Sequence, residues 1–240
     1  MRSATVMGWR IRAGSCDIKA VSTATLSYPP TTGVRRVCAA PLVAATDASL
    51  AGYGCLVDDP RGFEIEITPW PAQGWRPIDP NTGDQGGVTQ GLFEFAWRGQ
   101  TLYATNHAVR DTYLFGWSTW PEEAAAEGPP APRRRALVWR ANYHPDGGQL
   151  VYPVNGESFV VPLALPGDDV TPQSFTAFHC DGAKGLYIRP YVWHGAFVPH
   201  ADTATFLDRQ GRVHARVSVD FAKEFGCYLE LPLTAPGDAG

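Results

Sequence analysis

Proline and glycine punctuate this chain so closely that long helices have nowhere to form. Of 240 residues, 21 are Pro and 25 are Gly, and they are scattered throughout. Pro removes a backbone donor and clashes with the preceding turn, and Gly inside a helix costs about 1 kcal/mol against Ala. A helical bundle is therefore excluded. The runs between these breakers are short and rich in aromatic and β-branched residues, with 8 Trp and 9 Tyr in all, which favours an all-β fold. Hydrophobic residues make up 44% and charged residues 18%, enough apolar material for one domain with a real core.

The runs read as follows. Phe63–Ile67 alternates with period two, as a half-buried strand does. Leu92–Trp97 and Thr101–Thr105 flank Arg98-Gly99-Gln100 and read as a hairpin. Further strands are expected at 136–141, 149–153, 158–165, 185–188, 196–198, 205–207, 213–219 and 227–231. Many short strands at short spacing mean a sandwich or barrel. Thr46 or Asp47 could cap a short helix that stops at Gly52 or Gly54. Pro69–Gly91 is a long connection of the kind that serves a function or covers an edge. Tyr113–Trp120 is aromatic and expected to be buried. Glu122–Arg135 reads as a solvated linker with its Arg run exposed.

Charge narrows the function. The net charge is −4. The first 36 residues carry six basic side chains and one acid, a net +5, so the remainder carries −9. An acidic domain is unsuited to nucleic acid. No apolar stretch is long enough for a membrane span, and residues 1–36 lack the continuous apolar region of a secretory signal. They read as a flexible extension ahead of a single domain over 37–240. The five cysteines show no CxxC spacing and are expected as reduced thiols of a cytoplasmic protein.

No phosphate loop, GxSxG elbow, HExxH helix or cofactor fingerprint occurs, so no cofactor is expected. Two polar clusters remain. Asn142-Tyr143-His144-Pro145-Asp146-Gly147-Gly148-Gln149 is a turn leading into a strand, with His144 and Gln149 on either side of it. The plain alternative is that His144 caps the turn. Tyr187-Ile188-Arg189-Pro190-Tyr191-Val192-Trp193-His194 places Tyr187 and Arg189 on one face of an extended segment. An Arg among aromatic rings suits a carboxylate, and His194 suits proton transfer near neutral pH. The plain alternative is a core His beside Trp193.

From about Val37 to Leu233 the chain resembles the ureidoglycolate lyase family. The likeness rests on Tyr53-Gly54, His144-Pro145 with Gln149, Gly156-Glu157-Ser158-Phe159-Val160-Val161, Gly167-Asp168-Asp169, Phe175–Phe178, Val192-Trp193-His194 and Asp208-Arg209. The resemblance implies a cupin-like (RmlC-like jelly-roll) β-barrel with a few short helices. It implies carbon–nitrogen cleavage of a hemiaminal acid, ureidoglycolate giving glyoxylate and urea, and a homodimer. On that reading His194, His144 and Gln149 are catalytic. Arg189 clamps the carboxylate, and Tyr187, Tyr143, Glu157 and Trp193 bind substrate, with Glu157 or Glu66 as a second acid–base group. Two departures stand out: the family's histidines fall on Arg189 and Gly195. The close His-x-His pair of metal-binding cupins is also missing, so a metal site from His144, His179 and His194 would have to be assembled by the fold. A non-catalytic ligand-binding or oligomerisation module is the alternative, and convergence of His144, Gln149, Arg189 and His194 on one pocket separates the two.

Overall fold

The computed structural model describes residues 30–68, 74–80, 86–124 and 132–234. It is nearly all β. The strands are β1 (Val37–Ala39), β2 (Leu42–Ala44), β3 (Gly54–Val57), β4 (Val88–Arg98), β5 (Thr101–Asn106), β6 (Asp111–Trp117), β7 (Arg135–Val138), β8 (Arg140–Tyr143) and β9 (Gln149–Pro153). They continue as β10 (Phe159–Ala164), β11 (Thr176–Cys180), β12 (Gly185–Ile188), β13 (Trp193–His194), β14 (Val198–Pro199), β15 (Thr203–Gly211), β16 (Val217–Asp220) and β17 (Tyr228–Pro232). One five-residue helix, α1 (Phe221–Phe225), is capped by the Asp220 side chain and closed by Gly226 in the left-handed region.

The strands form two sheets in a cupin-like double layer. The larger has ten strands in the order β1-β17-β7-β6-β5-β4-β15-β9-β12-β3. The smaller runs β16-β8-β13-β10-β11-β2, with β14 also paired to β10. Neighbours are antiparallel except at two edges, where β1 joins β17 and β2 joins β11 in parallel. The core lies between the sheets. Phe206 of the larger sheet, itself packed on Phe95, meets Phe159 of the smaller, with ring centroids 5.1 Å apart. Alternation decides which residues reach it, since neighbours on a strand point to opposite faces.

The Leu92–Thr105 hairpin is present as β4 and β5, turning at Gly99–Gln100. The short helix expected from Thr46 is instead a set of turns, in which the Thr46 side chain accepts from Ser49 N at 3.1 Å. Phe63–Ile67 is extended but joins no ladder beyond one bridge, Ile67 to Gly147. Its apolar side chains pack on the outer face of the larger sheet, against Leu150 and Tyr187. Gly54 is required where β3 meets β12, because a Cβ there would lie 1.7 Å from the Tyr187 carbonyl oxygen.

Part of the long connection, residues 74–80, covers the smaller sheet. Buried Arg76 stacks over Trp75 and Trp193 and pairs with Glu224 at 2.7 Å. The expected exposed Arg run differs in one respect. Arg133 lies over the Trp97 ring with 7% of its side chain exposed, because a guanidinium covers an aromatic face well. Of the basic N-terminal stretch, residues 1–29 lie outside the described residues. Within 30–36, Arg35 bonds Glu123 at 2.8 Å, and the Thr31 carbonyl accepts from Tyr228 Oη. Cys38, Cys55, Cys180 and Cys227 are free thiols. No helix among the described residues is long and apolar enough to cross a membrane.

Candidate active site

A cavity of about 70 Å³ opens between the two sheets. The smaller sheet contributes Asn142 from β8 and His194 from β13, which are directly opposed in register. The larger sheet contributes Gln149 from the start of β9 and aromatic residues from β4 and β6. His144 follows β8, and His214 lies in the loop after β15.

The hydrogen bonds fix the state of each imidazole. His144 Nδ1 lies 2.8 Å from the Ala215 carbonyl, and His194 Nδ1 lies 3.2 Å from the Val192 carbonyl. A carbonyl only accepts, so both Nδ1 atoms carry the proton and both Nε2 atoms present lone pairs. Asn142 Nδ2 donates to both, at 3.5 Å to His144 and 3.4 Å to His194. His214 is held the same way by a longer chain. Gln210 Nε2 donates to the Asp208 carboxylate at 2.5 Å, so Gln210 Oε1 accepts from His214 Nδ1, also at 2.5 Å. That turns His214 Nε2 toward Tyr113 Oη, 3.4 Å away. The three rings cluster, with centroids 5.0 Å apart for His144 and His194 and 4.8 Å for His144 and His214.

Burial keeps all three rings neutral. Desolvation drops His194 to about 4 and His214 to about 3, the latter helped by Arg216, and pushes His144 well below the usual histidine value. Asp208 is the hub beneath them. It is fully buried, and burial raises it to about 6. Three side-chain amides bond to it: Gln149 at 2.7 Å, Asn106 at 2.9 Å and Gln210 at 2.5 Å. Gln149 spends an amide N–H on Asp208, and its Oε1 is buried with no hydrogen-bonding partner among the described residues. A buried orphan acceptor costs about 1–3 kcal/mol, so it asks for a donor from a ligand. Arg140 and Arg216 also line the cavity. Asp79 lies 3.3 Å from Arg140, and Asp111 lies 3.6 Å from Arg216.

Three of the site residues expected from sequence, His144, Gln149 and His194, therefore meet in one cavity. The others do not line it. Arg189 is exposed, beyond the end of β12. The segment 187–194 leaves the larger sheet at Ile188, bends through Tyr191 at φ 65° and enters the smaller sheet at Trp193. Arg189 and His194 thus part company, and the guanidinium groups that line the cavity are those of Arg140 and Arg216. Tyr187 pairs with Leu150 on the outer face, its hydroxyl accepting from Glu66 N at 3.1 Å. Tyr143 and Trp193 are each one residue from a cavity residue, so alternation turns them to the far face. There they pack edge to face, with Tyr143 Oη bonded to Asp168 and Trp193 Nε1 to the Gly167 carbonyl. Glu157 accepts from Asn155 in a surface turn, and Glu66 is exposed.

The trio His144, His179 and His194 is not assembled, since His179 lies against His200 instead. Among the described residues, no group of three or more His, Cys, Asp or Glu side chains is placed to hold a metal ion. His214 was missed because Val213–Val219 reads as continuous strand. The chain instead turns at His214, at φ 52°. A Cβ on Gly195, where the family has a histidine, would meet Pro162 Cγ at 2.7 Å. The glycine and that proline are therefore matched.

Residues 134–221 match the sequence model of the ureidoglycolate lyase family. The ureidoglycolate lyase of Azotobacter vinelandii (strain DJ) is 34% identical over 70 residues, which is 28% of this chain and 42% of that protein. Those of Salmonella paratyphi B (strain SPB7) and Salmonella newport (strain SL254) are each 37% identical over 77 residues, 31% of this chain and 48% of theirs. The chain thus spans less than half the length of these curated relatives. The matched segment holds Asn142, His144, Gln149, His194, Asp208 and His214, whereas β1–β6 lie outside it. Over residues 134–221, this chain is similar to the ureidoglycolate lyase family.

Proposed function

We propose that the chain is a carbon–nitrogen lyase that cleaves a hemiaminal carboxylic acid of the ureidoglycolate type into an oxo acid and urea. One observation supports this most directly: the polar wall of the cavity sets several acceptors beside two guanidinium groups. Two Nε2 lone pairs converge on Asn142, a third lies beside Tyr113, and Gln149 offers an unbonded carbonyl oxygen. A hemiaminal with a ureido group is the complementary ligand, since it brings one O–H and several N–H donors.

The chemistry follows from those positions. His194 Nε2 takes the carbinol proton, and the O–H electron pair forms the new C=O bond. The C–N pair leaves with nitrogen. Burial disfavours the imidazolium just formed, so the proton moves on to the leaving nitrogen, and urea departs neutral. Gln149 accepts from the ureido N–H, His144 holds the hydroxyl, and Arg140 with Arg216 attracts the carboxylate.

The test is glyoxylate release from racemic ureidoglycolate. A positioned base contributes roughly two to four orders of magnitude. His194→Ala is expected to lower turnover at least about 100-fold with an unchanged circular dichroism spectrum. Undiminished turnover in that variant overturns the assignment.

A further inference from the structure

We infer that the acid taken by this site carries an aryl or branched apolar substituent on its reacting carbon. The inference rests on the lyase reading for its reaction, and on a separate part of the cavity for its substituent. That part is an aromatic wall made by Phe93, Tyr113, Phe115 and Phe197. Three of these come from β4 and β6, outside the segment that matches the family.

Alternation puts the wall there. Tyr113 and Phe115 are two apart on β6 and stack at 5.1 Å with 14° between planes. Phe95 continues the stack at 5.6 Å from Phe115. Phe93 closes it against Phe197, edge to face at 6.3 Å. Tyr113 and Phe115 are only half-buried although they face the space between two sheets. The wall adjoins the bases: Tyr113 Oη is 3.4 Å from His214 Nε2, and Phe197 stacks on the His194 ring at 6.1 Å. A substituent on the carbon between the hydroxyl and the ureido nitrogen would therefore meet these rings. With hydrogen at that position the rings would stay wet, whereas a phenyl group would cover them. The balance of the reaction is unchanged. The carbinol proton ends on the urea nitrogen, and the product is an aryl or branched 2-oxo acid.

Mandelate and glycolate test this directly, since both present a carboxylate and a carbinol and they differ only in the phenyl group. Calorimetric titration of the full chain is expected to show mandelate binding at least about tenfold more tightly. Phe115→Ala should remove most of that advantage. Phe115→Leu, which keeps more volume, should retain part of it. Equal affinity of the unsubstituted protein for both acids overturns the inference, and this comparison needs no variant to fold. Glyoxylate release separates the two readings. Release from ureidoglycolate with no preference for mandelate removes the substituent and keeps the lyase. A mandelate preference without any release keeps the aromatic-acid site and removes the lyase.

Discussion

Lowering the pH from 7 to 5 is the perturbation that bears most directly on the histidine cluster. An unfolded histidine titrates near 6.5, whereas in the fold His214 is held to about 3 and His194 to about 4. Below 6.5 the unfolded chain binds protons that the native chain refuses. Stability therefore falls as pH falls, and it goes on falling until the native values are reached. At pH 5 the unfolded His214 lies one and a half units below its titration point, worth about 2 kcal/mol at about 1.36 kcal/mol per unit. His194 adds about the same, and His144 acts in the same direction.

The buried carboxylates work the other way. Asp208 and Asp146 are raised to about 6, so the native state takes up their protons first on acidification. Each returns about 1.3 kcal/mol between pH 7 and 5. The clean measurement is therefore a difference. His214→Asn removes one titrating group, and its ΔΔG against the unsubstituted protein should shrink by about 2 kcal/mol from pH 7 to pH 5. Urea unfolding followed by Trp fluorescence at pH 7, 6 and 5 reads it. A ΔΔG that stays constant, or grows, with acid would refute the reasoning that burial keeps His214 neutral.

Other expectations follow from single residues. Asp208→Asn places an amide N–H₂ against other amide donors and should cost about 2–4 kcal/mol in chemical denaturation, with kcat falling as His214 and Gln149 lose their anchor. Gln149→Leu should raise KM more than it lowers kcat, since the carbonyl is assigned to substrate N–H; an unaltered KM contradicts that role. Arg189→Ala should leave kcat/KM within about twofold and Arg216→Ala should lower it at least about tenfold, a contrast worth about 1.4 kcal/mol of transition-state binding. Equal losses in the two would restore Arg189 as the clamp.

Much of the architecture was legible because short-range physics decides it. The β4–β5 hairpin follows from alternation around a Gly turn. The strands at 149–153 and 185–188 follow from apolar runs between breakers. His144 and Gln149 come together because one tight turn separates them. What the sequence concealed was set by tertiary context. Phe63–Ile67 alternates like a strand but only lies on a sheet, since no neighbour completes its ladder. Arg189 and His194 look adjacent, yet the Tyr191 bend sends them to different sheets. His214 hid inside a strand-like run, and Asp208 counted only toward the family resemblance although it anchors three amides. Both depend on contacts that no window of sequence contains.

The groups proposed to act hang from two opposing walls, Asn142 and His194 on one and Gln149 and Asp208 on the other, with Phe159 and Phe206 wedged between the same walls nearby. The reach between proton acceptor and amide carbonyl is thus a gap width, calibrated by how thick the aromatic filling is. Trimming that filling would misalign the reacting groups without touching any of them, and enlarging it would pry them apart.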